Sequence, residues 1–257
     1  MIYNENFKKC VDNAISTQNN SLYYIGTGNP NAKILIVGKE LAIDPRNSGQ
    51  IETEINKNIE QWQENIKENF SSDNLKYYSE GRDNNPLFPY KGQKRIRNKN
   101  KNGGTSNTWL NYQKLHDNIY CTKALEINFH KDFFLTEINQ HPSQSSQEQD
   151  NNQRNESIEC RKKFIHDSDF FQSFPITILT CKAYIAESQL QQLFIKGLTK
   201  GRAVLDEKGN HCTIYYSEDN SKAVIYTRQL SNSLKKELLE KISSEIQGFC
   251  NKNKISL

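Results

Sequence analysis

The chain has 257 residues and a formal charge of +4, from 34 Lys and Arg against 30 Asp and Glu. That length suits one large α/β domain, and so small an excess of positive charge is weak evidence for an anionic partner. No apolar run approaches the length of a membrane span, the first residues lack a signal-peptide core, and none of the six cysteines stands in C-x-x-C spacing; the expectation is a cytoplasmic protein off the membrane, with structural thiols rather than a compact zinc or iron–sulfur motif.

Phe7, Val11 and Ala14 or Ile15 recur at helical spacing and predict an N-terminal helix. Gly26, Gly28, Asn29 and Pro30 separate it from a first strong strand near Lys33 to Gly38. Ile51, Ile55, Ile59, Trp62, Ile66 and Phe70 then form one apolar face, read as one long helix. Residues 71–107 read as a polar excursion. Trp109, Tyr112, Leu115 and Ile119 predict a second helix from about Thr108, capped by Ser106 or Thr108.

Lys131 to Ile138 reads as the next strand, and the Gln, Asn and Ser-rich stretch 140–157 as a second polar insertion. His141-Pro142-Ser143, at its start, is read as structural or inert. A helix is expected over 156–168, a strand over Ile176 to Cys181, and a helix from Ile185 to Phe194. Ala203 to Leu205 and Cys212 to Tyr216 flank a Gly-containing turn and predict a hairpin or edge pair. A last strand, Lys222 to Tyr226, leads into a closing helix carrying Leu234, Leu238, Ile242, Ile246 and Phe249, capped by Ser231 or Asn232. Strands alternating with helices give a three-layer α/β/α sandwich with a short, mainly parallel central sheet, read as a single domain over 1–257.

Ligands of such sheets bind beyond the carboxyl ends of the strands, so the strand ends supply the candidate site residues. Gly38 permits a sharp exit, leaving Lys39 and Glu40 at the lip, where a carboxylate can orient water; an ordinary charged loop pair is the plainer reading. Glu137 shares a strand face with Leu135 by alternation, and Asn139 follows it. Tyr226, Thr227, Arg228 and Ser231 stand where a strand turns into a helix, a natural phosphate position, although Ser231 also suits capping. The run Lys91, Lys94, Arg95, Arg97, Lys99 and Lys101 has no acidic member. It is read as a nucleic-acid backbone contact or as a solvated loop.

These landmarks, in this order, resemble the uracil-DNA glycosylase superfamily, as a divergent branch. The family begins with an apolar strand ending in Gly, a variable residue and often Asp or Asn, and Ile34-Leu-Ile-Val-Gly38-Lys39-Glu40 is similar to that frame. Phe133-Phe-Leu-Thr-Glu137-Ile-Asn139 stands where the family ends a strand in a pyrimidine-reading Asn. Tyr226-Thr-Arg-Gln-Leu-Ser231 keeps the Leu-Ser of the last motif and lacks its His and Pro. The resemblance implies an α/β/α fold, a nucleic-acid partner, with DNA first, and base excision without cofactor or metal. It casts Glu40 as the water-orienting group, Glu137 or Asn139 as base reader and Arg228 as a clamp.

An ionised Glu137 accepts hydrogen bonds and cannot donate, so it is expected to favour a ligand presenting an amino group. Two alternatives stand beside excision. One is a catalytically silent relative that binds nucleic acid or a nucleotide. The other is a hydrolase of small phosphorylated or acylated compounds.

Overall fold

The protein is described by a computed structural model covering residues 2–16, 24–43, 49–77, 84–96, 105–143, 150–194, 198–205, 209, 211–231, 234 and 236–257. Its strands are β1 (Thr27–Gly28), β2 (Ile34–Gly38), β3 (Phe133–Glu137), β4 (Ile176–Leu179), β5 (Thr199–Leu205), β6 (His211–Tyr216) and β7 (Ala223–Thr227). They form one seven-stranded sheet in the order β1-β3-β2-β4-β7-β6-β5. The central four, β3, β2, β4 and β7, are mutually parallel, as the sequence predicts. β1, β6 and β5 join antiparallel at the two edges. The sheet is therefore mixed rather than mainly parallel, because the hairpin β5–β6 extends it past β7.

Every residue of β2, β4 and β7 is buried, as expected of strands covered on both faces. Alternation divides the core in two. Leu35, Val37, Phe134, Leu179, Val224 and Tyr226 face one cluster. It is built with α1 (Glu5–Ser16), α2 (Asn58–Lys67), α4 (Asn151–Asp167), α5 (Asp169–Gln172) and α6 (Leu190–Leu193). Ile34, Ile36, Phe133, Leu135, Ile178 and Ile225 face the other, with α3 (Asn107–Tyr120) and α7 (Lys236–Asn253). Helix layers on both faces of the sheet make an α/β/α sandwich. Among the described residues no helix is long and apolar enough to cross a membrane.

Several boundaries differ from the sequence reading for local reasons. The expected long helix over 51–70 is a π-helical turn, Glu52–Asn56, followed by α2. Ser106 does cap α3, accepting from the Trp109 amide at 3.2 Å. α4 starts inside the Gln/Asn-rich stretch read as loop, because the Asp150 carboxylate accepts from the amides of Asn152 and Gln153. Ser231 does not cap the closing helix, which starts at Lys236. Asn232 lies outside the described residues. All six cysteines are free; four are buried, but Cys121 and Cys160 are exposed and are not core thiols.

Candidate functional site

A cavity of about 500 Å³ opens at the carboxyl edge of the parallel strands. Gly38 to Ile43 leave β2 along one side, and Leu135 and Glu137 end β3 at its floor. Trp109 and Tyr112 reach it from the first turns of α3, and Tyr24 and Thr27 from the segment beside β3. The π turn contributes Glu54, with Gln50 just before it, and the loop at 84–93 contributes Asn84, Pro89, Tyr90 and Gln93. Gln229 closes the β7 side. The walls thus combine aromatic rings with many polar and charged side chains, so a ligand here would be held by hydrogen bonds as well as by apolar contact.

Glu137 is the central group. Parallel register sets it directly against Gly38 on the neighbouring strand. A Cβ on Gly38 would lie 2.8 Å from Glu137 Cδ and closer still to Oε2. Gly38 is therefore the seat of this carboxyl group, beyond any freedom it gives the turn. Oε2 is buried and has no hydrogen-bond partner among the described residues. Behind the strand, the fully buried Arg161 donates Nε to the Glu137 carbonyl at 3.0 Å and Nη1 to the Tyr24 carbonyl at 2.8 Å. Its Nη2 donates to Thr136 Oγ1 at 2.7 Å. One guanidinium thus ties the Tyr24 and Glu137 walls together.

Burial, and then the nearby Glu40 carboxylate, push Glu137 up to about 8, with Arg161 pulling the other way. The residue as a whole is half-buried, yet the carboxyl oxygen itself is sealed, and the sealed oxygen sets the direction. At neutral pH the carboxyl is protonated. In that form it can donate a hydrogen bond as well as accept one, which the ionised form considered from the sequence cannot. Glu54 is also raised by burial, against the hydrogen bonds it takes from Tyr90 and Gln50. Burial and the charge of Glu137 raise the phenols of Tyr24 and Tyr112, so both stay neutral donors. Among the described residues no three His, Cys, Asp or Glu side chains are grouped to hold a metal ion.

The sequence-predicted residues divide cleanly. Gly38, Lys39, Glu40 and Glu137 line the cavity. Asn139 is buried outside it; its amide donates to the Lys39 carbonyl at 2.8 Å and its side chain accepts from the His141 amide. The strand register therefore presents Glu137, not Asn139. Tyr226 sits on the opposite sheet face and donates to the Ile185 carbonyl at 2.6 Å. Thr227 is buried away from the cavity, and Arg228 and Ser231 do not line it; Gln229 does.

Of the basic run, Lys91 donates to the carbonyls of Ser72 and Leu75, and Arg95 bonds Asp117 at 2.6 Å. These two charges are spent inside the protein. Lys94 is exposed, while Arg97, Lys99 and Lys101 lie outside the described residues. His141-Pro142-Ser143, read as structural or inert, has a structural role at the cavity wall: the Ser143 amide donates to the Leu41 carbonyl at 3.0 Å.

Sequence reasoning missed Glu54, Tyr90, Tyr24 and the cavity role of Trp109 and Tyr112. The aromatic residues of α3 carry only a core-face signal. Glu54 comes inward because the chain there takes a π turn, a device common at functional sites.

The chain matches no family model, and no curated protein aligns with it significantly.

Proposed function

We propose that the cavity binds a planar heterocyclic base and that the protein acts on nucleic acid, hydrolysing an N-glycosidic bond. The observation that carries this reading is the Glu137 carboxyl, seated over Gly38 among aromatic walls with Glu40 beside it. A neutral carboxyl can donate a hydrogen bond as well as accept one, and so can meet a ring edge bearing C=O or N–H. Tyr24, Tyr112 and Trp109 supply apolar area and π faces for the ring. The resemblance to uracil-DNA glycosylases in order and spacing agrees with this use of the strand ends.

Two carboxyl groups in unlike environments can divide acid and base work. Glu40 accepts the proton of an attacking water whose oxygen bonds to the sugar carbon. The bond from that carbon to the ring nitrogen breaks, and Glu137 delivers its proton to the departing base. Protons exchanged with solvent reset both groups. Glu137 thereby takes over the help that an imidazole gives to a leaving base.

The test is abasic-site formation on single- and double-stranded oligonucleotides carrying uracil, hypoxanthine or xanthine. Glu40→Gln is expected to cost about 2–4 orders of magnitude in turnover with little change in binding. No product from any strand sinks the catalytic reading. A second reading is then favoured by a specific observation: among the described residues no histidine lines the cavity, and the β7 end offers Gln229. In that reading the protein binds the base without cutting, and calorimetry with free bases separates the two.

A further inference from the structure

The sheet's carboxyl edge carries different chemistry on its two faces. Glu137 and Gly38 lie toward the cavity. One residue beyond Gly38, Lys39 sends its ammonium 5.0 Å from the centroid of the Tyr184 ring. Arg154, in the first turns of α4, sets its guanidinium carbon 5.5 Å from the centroid of the same ring. Lys182, just past β4, places its ammonium 5.5 Å from the centroid of the Tyr226 ring, on the face away from the cavity. Arg228 follows the end of β7. β2, β4 and β7 are neighbours in the sheet, so the segments leaving three successive strands each carry a cation.

These positions are fixed by the backbone. The Thr180 amide donates to the Val37 carbonyl at 2.9 Å, which ties the β4 exit to β2. The Lys182 amide donates to the Thr227 carbonyl at 3.3 Å, which ties it to β7. Ring faces hold the three long side chains of Lys39, Arg154 and Lys182, which are half-buried rather than sealed from water.

We propose that Lys39, Arg154 and Lys182, with Arg228 at the end of the row, form a ledge that binds the phosphodiester backbone of a single nucleic-acid strand. The ledge borders the cavity through Lys39, which lines both. A strand lying along it presents a base to Glu137 over the sheet edge. This choice of partner rests on the reading of the cavity as a base site. The interaction itself is electrostatic and independent of sequence.

The experiment is fluorescence anisotropy of a labelled twelve-nucleotide oligothymidylate, and of a base-free strand of the same length, between about 50 and 200 mM salt. The triple substitution Lys39→Gln, Arg154→Gln, Lys182→Gln is expected to weaken both strands at least tenfold. It should flatten the slope of log affinity against log salt by roughly 0.7 for each phosphate no longer neutralised, about 2 in all. The charge-keeping triple, Arg at 39 and 182 and Lys at 154, should retain most of the slope, so a folding defect is recognised by its failure there and by circular dichroism.

An unchanged slope in a folded triple glutamine variant overturns the ledge. So does a mononucleotide losing affinity as steeply as the strand, which would mark a single-phosphate site. Because the base-free strand has nothing to enter the cavity, its binding tests the ledge alone. The ledge can therefore stand while base excision fails, and the reverse.

Discussion

If Glu137 is protonated in the folded protein at neutral pH, the protein's stability must record it. The carboxyl sits at an ordinary value near 4.5 when unfolded and at about 8 when folded. Below about 4.5 both states hold the proton and there is no penalty. Between the two values the folded state holds a proton that the unfolded state has lost, so stability falls as pH rises. The slope is about 1.4 kcal/mol per pH unit. Above about 8 both states are ionised and the whole cost of the buried charge remains.

A shift of this size corresponds to roughly 5 kcal/mol at most. Water entering the open side of the cavity screens part of it, which leaves an expected effect of about 2–4 kcal/mol. Glu137→Gln removes the titration while keeping the volume. Urea denaturation followed by circular dichroism should show the variant gaining on the parent from about pH 5 to pH 8.5, by that amount. Glu40→Gln should lower the Glu137 midpoint by less than burial raised it, since the Glu40 charge is the smaller cause. Parallel pH profiles for parent and Glu137→Gln would refute a neutral Glu137, and with it the donor role assigned above.

Gly38→Ala is expected to push the Glu137 carboxyl off its seat with little loss of stability, because the group displaced is the end of a flexible side chain; carboxyl NMR should show its midpoint falling toward the ordinary range, and an unmoved midpoint contradicts the seat. Arg161→Leu strips the Tyr24 and Glu137 carbonyls of their donor and should cost about 3–5 kcal/mol, read by urea titration. His130 is fully buried between Trp109 and Phe88, has both ring nitrogens without a hydrogen-bond partner, and is pulled by burial down to about 3. The unfolded chain takes up that proton first, so His130 lowers stability as pH falls from about 6.5 toward 3. His130→Phe should abolish that acid limb, and an unchanged limb would assign it elsewhere.

The central strands were legible because Ile34 to Val37, Ile176 to Leu179 and Ala223 to Tyr226 are apolar runs that both helix layers cover. The start of α4 was not, because a single carboxylate, Asp150, outweighs the loop-like composition that follows it. Glu40 and Glu137 were found as strand-end carboxylates. That one is neutral was hidden, since it depends on their meeting across two strands and on the walls closing over Oε2. Gly38 was read as a turn residue, because only the register shows what leans over it.

Parity explains why Tyr226 does not reach the cavity. On β7, Ala223 and Ile225 face the α3–α7 layer, which also backs the cavity, so Tyr226 must face the other way. A position at a strand end brings a residue to the edge; alternation decides which side of the edge it serves. Applied to β2, the same rule gives Gly38 to the cavity and turns the Lys39 ammonium toward Tyr184. The acids and the cations of this edge therefore lie next to each other in sequence without neutralising each other. The Lys39 ammonium is engaged with the Tyr184 ring, which packs on the other sheet face from Glu137. If Lys39 instead turned into the cavity and paired with Glu137, the carboxylate would be stabilised and the neutral donor lost. The division of the edge by strand parity is thus what would let one short segment, Gly38-Lys39-Glu40, serve both the proposed base site and the proposed phosphate ledge.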